Sequence, residues 1–525
     1  MPDCDVLVIG AGHNGLILAN YLARAGLRVL VLESRLEAGG GLSTEELTLP
    51  GFWHNTHSYF HDTINVMPAY RDLHLEAFNA RYYQPPVQAG LPLADGRGVT
   101  LHVDLDRTCR GLARFSPRDA RTYREIREAY GEFMETVIIP ALYSPAAAPS
   151  RQPAVLEKSP EGLEFLRLGR MSPRDVVDEL FEDEHIKALL LHQLPIPRGV
   201  VHDYHGLGAV IPLVISQVEH SQLCLGGSHV LAHALWRALL RAGGQVLGIQ
   251  HVERILVRDG AAVGVQVRGG RAFTARAVAS AVDLQQTFLG LIGEEQLEEA
   301  FVRRIRGFKL DEFSIFGIHL ALREPPRFRA AAFESALDQA FKLDVGLETP
   351  EDYERLWGEI RAGALPTRLG LYVSVPTLFD PSQAPRGHHT LLAWQPAPYA
   401  LREGGAEAWD RVKEEFLGQC LDQLRVYAPN LTDQVILKAA ALSPLDIERK
   451  LPNMARGGVF MGRLTQDQLE AFRPLPELAH CRTPIRNLYL CGACLHPGGG
   501  IIGAAGFIAA HAIADDLGVR RWWEG

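Results

Sequence analysis

The 525-residue chain has no excess of positive charge: 53 Lys and Arg stand against 62 Asp and Glu, a formal net charge of −9. Nucleic-acid binding needs clustered Lys and Arg on a basic surface, so nucleic acid is excluded as a partner. Cysteine is sparse, with seven residues scattered along the whole length. Their odd number, and a beginning with no charged segment followed by an apolar one, argue against a secreted disulfide framework and for a reducing, cytoplasmic setting. Long hydrophobic runs are missing as well. Apolar stretches such as GLGAVIPLVIS at 206–216 fall well short of the ~20 residues that span a bilayer, which leaves open only peripheral membrane contact. No H-E-x-x-H, P-loop, EF-hand or Ser-His-Asp pattern occurs, and no metal is assigned.

Glycine is the opposite case, with 50 residues, several of them in tight groups. The chain opens DVLVIGAGHNGLILANYLARAGLRVLVLE, which puts Gly10, Gly12 and Gly15 in a G-x-G-x-x-G spacing between an apolar run and a helix-like run. Gly10 permits the tight turn after the strand Asp5 to Ile9, Gly12 lets backbone approach a pyrophosphate, and Gly15 lets the helix pack on the strand. The pyrophosphate then sits on the helix N-terminus. A second strand, Leu27 to Leu32, ends in Glu33, an acid placed to accept hydrogen bonds from ribose hydroxyls. Strand, glycines, helix, strand and acid in that order predict a dinucleotide site.

Two further glycine clusters narrow the dinucleotide to a flavin. Gly39, Gly40 and Gly41 follow Glu33 closely, as a chain must that crosses near both pyrophosphate and flavin. Far downstream, NLYLCGACLHPGGGIIGAAGFIAAHAIADDL at 487–517 ends a strand at Gly492 and opens an apolar helix. Bare amides at that helix start suit the pyrimidine edge of an isoalloxazine, where negative charge gathers on reduction. His496, Gly500, Ile501 and Ile502 are the expected contacts here. A third segment, 226–283, reads as a helix followed by antiparallel strands with turns at Asp259-Gly260 and Gly269-Gly270, and Val252 is expected at the adenine end. The fold class is therefore α/β plus α+β. A discontinuous FAD-binding domain takes residues 1–69, 226–283 and 484–525, and a mixed substrate domain takes 70–225 and 284–483. In the latter, Ser116 and Ser172 each cap a helix within Ser-Pro-Arg-Asp, 143–160 reads as an exposed loop, and 313–322, 369–376 and 391–398 read as strands.

The blocks GAGHNGL (10–16), GGGLSTEE (39–46), HVERILVRDGAAVGV (251–265), GGVFMGRLTQDQLEAFRP (457–474) and LYLCGACLHPGGGIIGAAG (488–506) resemble the phytoene-desaturase-related flavoproteins. Within them the chain is similar to the branch of carotenoid-ketolase-type enzymes and the pyridine nucleotide-disulfide oxidoreductase domain protein 2 group. The resemblance implies an amine-oxidase-like fold, tightly bound FAD, and redox chemistry on carbon–carbon or carbon–hydrogen bonds of apolar molecules. Many relatives carry Arg where this chain has Gly41, so no guanidinium contact is expected there.

Between 50 and 61 the chain reads PGFWHNTHSYFH, bringing His54, His57 and His61 together beside the expected flavin. An imidazole there can take or give a proton while flavin N5 takes hydride. His57 is the leading catalytic candidate, with His61 and His54 beside it; a metal site, since imidazole suits Zn or Fe, and structural histidines are the alternatives. His202, Tyr204 and His205 are candidates to line the substrate cavity. The expected activity is an FAD-dependent dehydrogenase or desaturase acting on an apolar or alicyclic, carotenoid-like substrate, with oxygen, a quinone or another acceptor taking the electrons. A redox-neutral isomerase and a non-catalytic flavin-binding protein are the alternatives, and a homo-oligomer is left open.

Overall fold

The computed structural model describes residues 2–148, 151–217 and 220–524. The first strand, β1 (Cys4–Ile9), is buried along almost its whole length, as expected for a parallel strand covered on both faces. The following helix, α1 (His13–Arg24), buries every residue from Asn14 to Ala23. It is wedged between a sheet and other helices, so apolar and small residues occupy all sides rather than one stripe. Next comes β2 (Val29–Leu32), which pairs parallel to β1 with Val31 opposite Val8.

A parallel layer grows on both sides of this pair. Gln245–Leu247 adds to the outer edge of β2, Ala272–Ser280 lies on the other side of β1, and Leu488–Leu490 pairs with the latter in parallel. The strand Ala272–Ser280 does double duty. Its first half alternates exposed and buried residues and pairs antiparallel with Ala261–Val267, which pairs in turn with Val252–Arg258. Its second half is buried continuously and joins β1. The expectation of antiparallel strands after the helix His229–Arg241 therefore holds for 252–274 and fails for Gln245–Leu247 and 275–280. Gln245–Leu247 returns from the helix His229–Arg241, the crossover that parallel pairing needs, and 277–280 is buried throughout, as a strand covered on both faces is.

A second seven-stranded sheet runs in the order 436–442, 314–322, 389–397, 371–374, 342–345, 87–92 and 98–102. All its pairings are antiparallel except 342–345 with 87–92. One face packs on Trp409, Phe416 and Leu424 of the helix Trp409–Tyr427. The other packs on a helical layer formed from Pro117–Phe133, Pro173–Leu180, Glu184–His192 and Val210–Ser216.

The two Ser-Pro-Arg-Asp tetrapeptides both start helices but use their aspartates differently. Asp175 closes a capping box on Ser172, whereas Asp119 is fully buried and accepts from the backbone N–H groups of Glu182 and Asp183. Beyond Phe133 the helix widens into a π turn, Met134–Ile138, before Ile139–Leu142. Pro140 has no N–H to continue the ordinary ladder, which explains the wider turn. Within 143–160, expected to be a loop, Arg151–Leu156 is helical, while residues 149 and 150 lie outside the described residues. No helix among the described residues is long and apolar enough to cross a membrane.

Candidate active site

The N-terminal glycines shape a cradle by what their missing side chains leave clear. Gly10 has φ of +95°, a turn that side chains with a Cβ avoid. A Cβ on Gly15 would lie 2.2 Å from the Gly10 carbonyl oxygen, so the first turn of α1 touches the end of β1. At Gly12 a Cβ would meet nothing within 4 Å, and that open side faces a cavity. Gly39 donates its N–H to the Ala11 carbonyl at 2.8 Å and bridges Gly12 in parallel, and Gly40 follows within reach of the Gly12 Cα. The start of α1 and the 39–41 turn thus form two walls of bare backbone, the setting that a pyrophosphate needs.

From that cradle a cavity of about 310 Å³ runs between the two sheets. Gly12, Gly15, Gly40 and Gly41 line one end, and Gly499, Gly500, Ile501 and Ile502 come to it from the other end of the chain. The two chain ends meet closely: a Cβ on Gly506 would sit 2.1 Å from the Asn14 carbonyl oxygen, and the Gly506 N–H donates to Asn14 Oδ1 at 3.2 Å. Further in, the walls become apolar, with Phe60, Ile138, Leu142, Ile196, Trp394 and Phe460 among them. The π turn before Pro140 is what delivers Ile138 and Leu142 to this wall.

Two buried charges hold the downstream wall in place. Asp311 accepts from the backbone N–H groups of Phe460 and Gly462 at 2.8 and 2.9 Å. Arg473, wholly buried, donates to the carbonyls of Phe460, Gly462, Ala493 and Leu495 at 3.2–3.3 Å. Burial pushes its guanidinium down to about 10. One side chain therefore ties the loop at 460–463 to the glycine-rich segment after 491. Nothing in the sequence pattern around Arg473 marked it, because its partners are backbone carbonyls and leave no residue-type signature.

The cavity collects imidazoles. His57 and His61 line it, and so does His13, the first residue of α1. His61 is locked, with Nδ1 2.7 Å from the Tyr82 hydroxyl and Nε2 3.1 Å from Ser58 Oγ. Burial, with His13 nearby, lowers it to about 3. His13 contacts the Gly500 carbonyl and is lowered to about 4 by burial, and its Nε2 is buried without a protein partner. His57 is half-buried and lines the cavity, and its buried Nε2 likewise has no protein partner. Burial first, then the positive charges of Lys450 and Arg35, hold it well below the ordinary histidine range. Its imidazole is therefore neutral.

Several expected contacts lie elsewhere. His54 is packed behind the cavity, bonded to Thr48 Oγ1 at 2.7 Å and edge-on to His319 at 5.4 Å. His496 turns away, its Nε2 3.1 Å from the Ala141 carbonyl, because the following Pro497 is the residue presented to the cavity. Gly492 is a packing position: a Cβ there would come 2.7 Å from the Ala281 carbonyl oxygen. Two expected contacts at the adenine end stay with the glycine turn and the adjoining strands: Glu33 is buried and accepts from the Ala11 N–H at 2.8 Å, and Val252 is buried at the start of the antiparallel strand Val252–Arg258. His202, Tyr204 and His205 do not reach the cavity. Tyr204 donates to Glu312, His202 packs near the Tyr353 ring, and His205 is exposed, because this loop is held on the outside by the Arg361 ion pairs to Asp203 and Glu312.

Among the described residues, no group of three or more His, Cys, Asp or Glu is arranged to hold a metal ion. All seven cysteines are free and buried, including Cys491 and Cys494. Bare backbone at both chain ends, an unfilled space over Gly12 and unpartnered imidazole nitrogens fit a flavin dinucleotide.

A split nucleotide fold with an apolar chamber between its sheets defines a flavoprotein oxidoreductase of the amine-oxidase fold, with FAD as cofactor. The chain belongs to the flavin-containing amine oxidoreductase family, whose model matches residues 15–514. It is 34% identical to a subunit of limonene dehydrogenase from Castellaniella defragrans, over all of this chain and 96% of that one. It is 30% identical to pyridine nucleotide-disulfide oxidoreductase domain-containing protein 2 of Rattus norvegicus, over 98% of this chain and 94% of the relative. A solved putrescine oxidase shares the fold with a TM-score of 0.64 at 15% identity, covering 98% of this chain and 99% of that one.

Proposed function

We propose that this FAD-dependent oxidoreductase dehydrogenates an apolar alicyclic molecule, with His57 as the proton acceptor. The observation that carries the reading is the neutral imidazole of His57, without a protein partner at Nε2, in the wall of a chamber that Phe60, Ile138, Leu142, Ile196 and Trp394 also line. The full-length similarity to a protein named for limonene dehydrogenation supports a compact cyclic hydrocarbon skeleton.

When bound, FAD supplies a hydride acceptor at N5. The chain's own residues do the remaining work. The apolar walls exclude water and hold the ring of the substrate by contact area, at about 25 cal/mol per Å² buried. His57 Nε2 takes the proton that leaves as the double bond forms, and a neutral imidazole with no competing partner is the right state for it. His61, tied at both nitrogens, keeps the wall beside it rigid. The sequence shows no second nucleotide motif, so oxygen, a quinone or another diffusing acceptor is proposed to take the electrons.

The test is anaerobic mixing of the purified flavoprotein with a panel of cyclic monoterpenes, with and without oxygen substituents, and long linear polyenes, following the visible flavin band. Bleaching by the cyclic compounds is expected. Turnover of a substrate to an isomer with no acceptor consumed would replace dehydrogenation by isomerisation, the reaction named in a 26% identical relative, prolycopene isomerase.

A further inference from the structure

Most of the chamber is hydrocarbon-faced, yet one part of its wall is ionic. Asp62, Arg198 and Gln217 all line it. Arg198 donates through Nη1 to Asp62 and through Nη2 to Gln217 Oε1 at 2.7 Å. The Ser221 hydroxyl donates to the other Asp62 oxygen, and Lys342 Nζ donates to Ser221 Oγ at 2.7 Å. The Asp62 side chain is 8% exposed and that of Arg198 23%, so the carboxylate is enclosed while the guanidinium keeps an open edge. Arg198 ends a short helical turn whose next residue, Gly199, has φ of +68° and would clash through a Cβ with the Phe460 ring at 2.7 Å. The backbone beneath the guanidinium is thus held against the chamber wall.

A buried ion pair is a poor device for stability alone. Taking two charges into an apolar interior costs several kcal/mol per ion, and well-packed apolar residues of similar size are often as stable. The chemistry of the cluster points toward a ligand. Asp62 has its acceptor capacity taken up by Arg198 and Ser221, and the Arg198 and Lys342 cations hold it down to about 2 despite its burial. The next carboxyl, Asp344, is pushed well up by burial and is taken up by Gln193, which donates to it at 2.9 Å. What the cluster offers the chamber is donors: guanidinium N–H groups, with the Lys342 ammonium behind them.

We infer that Arg198 is a specificity-determining anchor, and that the substrate is an alicyclic molecule bearing a carbonyl or carboxylate oxygen that docks on its guanidinium. This rests on the reading of the chamber as the substrate site. A planar guanidinium suits an sp² oxygen, and a charge-assisted hydrogen bond in a dry wall is stronger than one in water. Pure hydrocarbons leave the anchor unmatched.

The experiment measures binding to the FAD-loaded protein through perturbation of the visible flavin spectrum, with methylcyclohexene, cyclohexenone and cyclohexenecarboxylate as matched probes. Binding perturbs the band and reduction bleaches it, so failure of the anchor and failure of the dehydrogenase reading are separate results. The oxygenated probes are expected to bind roughly tenfold or more tightly than methylcyclohexene, the factor that about 1.4 kcal/mol gives. Arg198→Met should erase that preference and leave methylcyclohexene binding unchanged. Asp62→Asn with Arg198→Met removes both charges together, and serves if the single variant loses its fold or its flavin. Which oxygenated probe gains more separates a carbonyl from a carboxylate ligand. Equal or tighter binding of methylcyclohexene by the unaltered protein, no binding of any probe, or an equal loss for all three on substitution would overturn the inference.

Discussion

The Glu33 carboxylate accepts a hydrogen bond from the Ala11 backbone N–H at 2.8 Å, so the acid at the end of β2 holds the glycine turn at the end of β1. Its other oxygen accepts from Arg35 N at 2.9 Å. Glu33→Gln must turn an amide N–H₂ toward one of these two backbone donors, leaving a buried N–H without an acceptor. FAD affinity is expected to fall roughly tenfold or more, the equivalent of about 1–3 kcal/mol. Titration of the flavin-free protein with FAD measures it, and an unchanged dissociation constant would show that the turn holds without the carboxylate.

Gly506 and Gly131 form a matched pair of tests. Gly506→Ala puts a methyl 2.1 Å from the Asn14 carbonyl oxygen and forces the C-terminal helix (Ala504–Leu517) off α1, at a cost of about 1–3 kcal/mol, with loss of bound flavin. Gly131 sits in the helix Pro117–Phe133 with nothing within 4 Å of a Cβ, so Gly131→Ala should stabilise by up to about 1 kcal/mol. Denaturant midpoints of both variants decide the matter.

Arg473→Leu removes the donor shared by the Phe460, Gly462, Ala493 and Leu495 carbonyls. With several buried acceptors left unpaired, a loss of at least about 3 kcal/mol is expected, together with faster release of FAD. Full flavin occupancy and an unshifted thermal midpoint would refute the clamp.

For His57→Ala, turnover is expected to fall by about 10²-fold or more while the flavin stays bound. Because burial keeps the imidazole well below 6.5, activity should not decline as pH drops through the ordinary histidine range. Unchanged turnover with full flavin would remove His57 from the reaction.

Histidines taken out of water by the fold make it sensitive to acid. Burial lowers His13, His54 and His202 to about 4, and His61 and His192 to about 3. Unfolded, each titrates near 6.5, so between these values the unfolded chain binds more protons than the folded one. Stability is complete above about pH 6.5 and is lost as pH falls, by up to about 1.4 kcal/mol per pH unit for each histidine. Urea unfolding across this range measures the slope, and His61→Gln should reduce it by one proton. A flat profile would mean that these rings meet protons in the folded state.

How much was legible beforehand depended on how local the signal is. Gly10, Gly12 and Gly15 fall within six positions, so the steric demands of one strand–turn–helix are written in consecutive residues. The strand expected at 313–322 is found at Ser314–Leu322 for the same reason. His202, Tyr204 and His205 misled because residue type carries no direction: their loop is pinned outward by Arg361, more than 150 positions away in the sequence. Arg473 left no trace because carbonyls are present at every residue.

The sequence by itself determined the two runs of bare backbone, one near each end of the chain, that point to FAD, since each is written in consecutive residues and needs nothing distant to declare it. Only the tertiary structure decided what faces the flavin side of the chamber. Asp62, Arg198 and Lys342 come from separate segments, and so do His13 and His57. The physical reason is range: backbone sterics act over a few residues, whereas burial and charge pairing depend on which segments the two sheets press together.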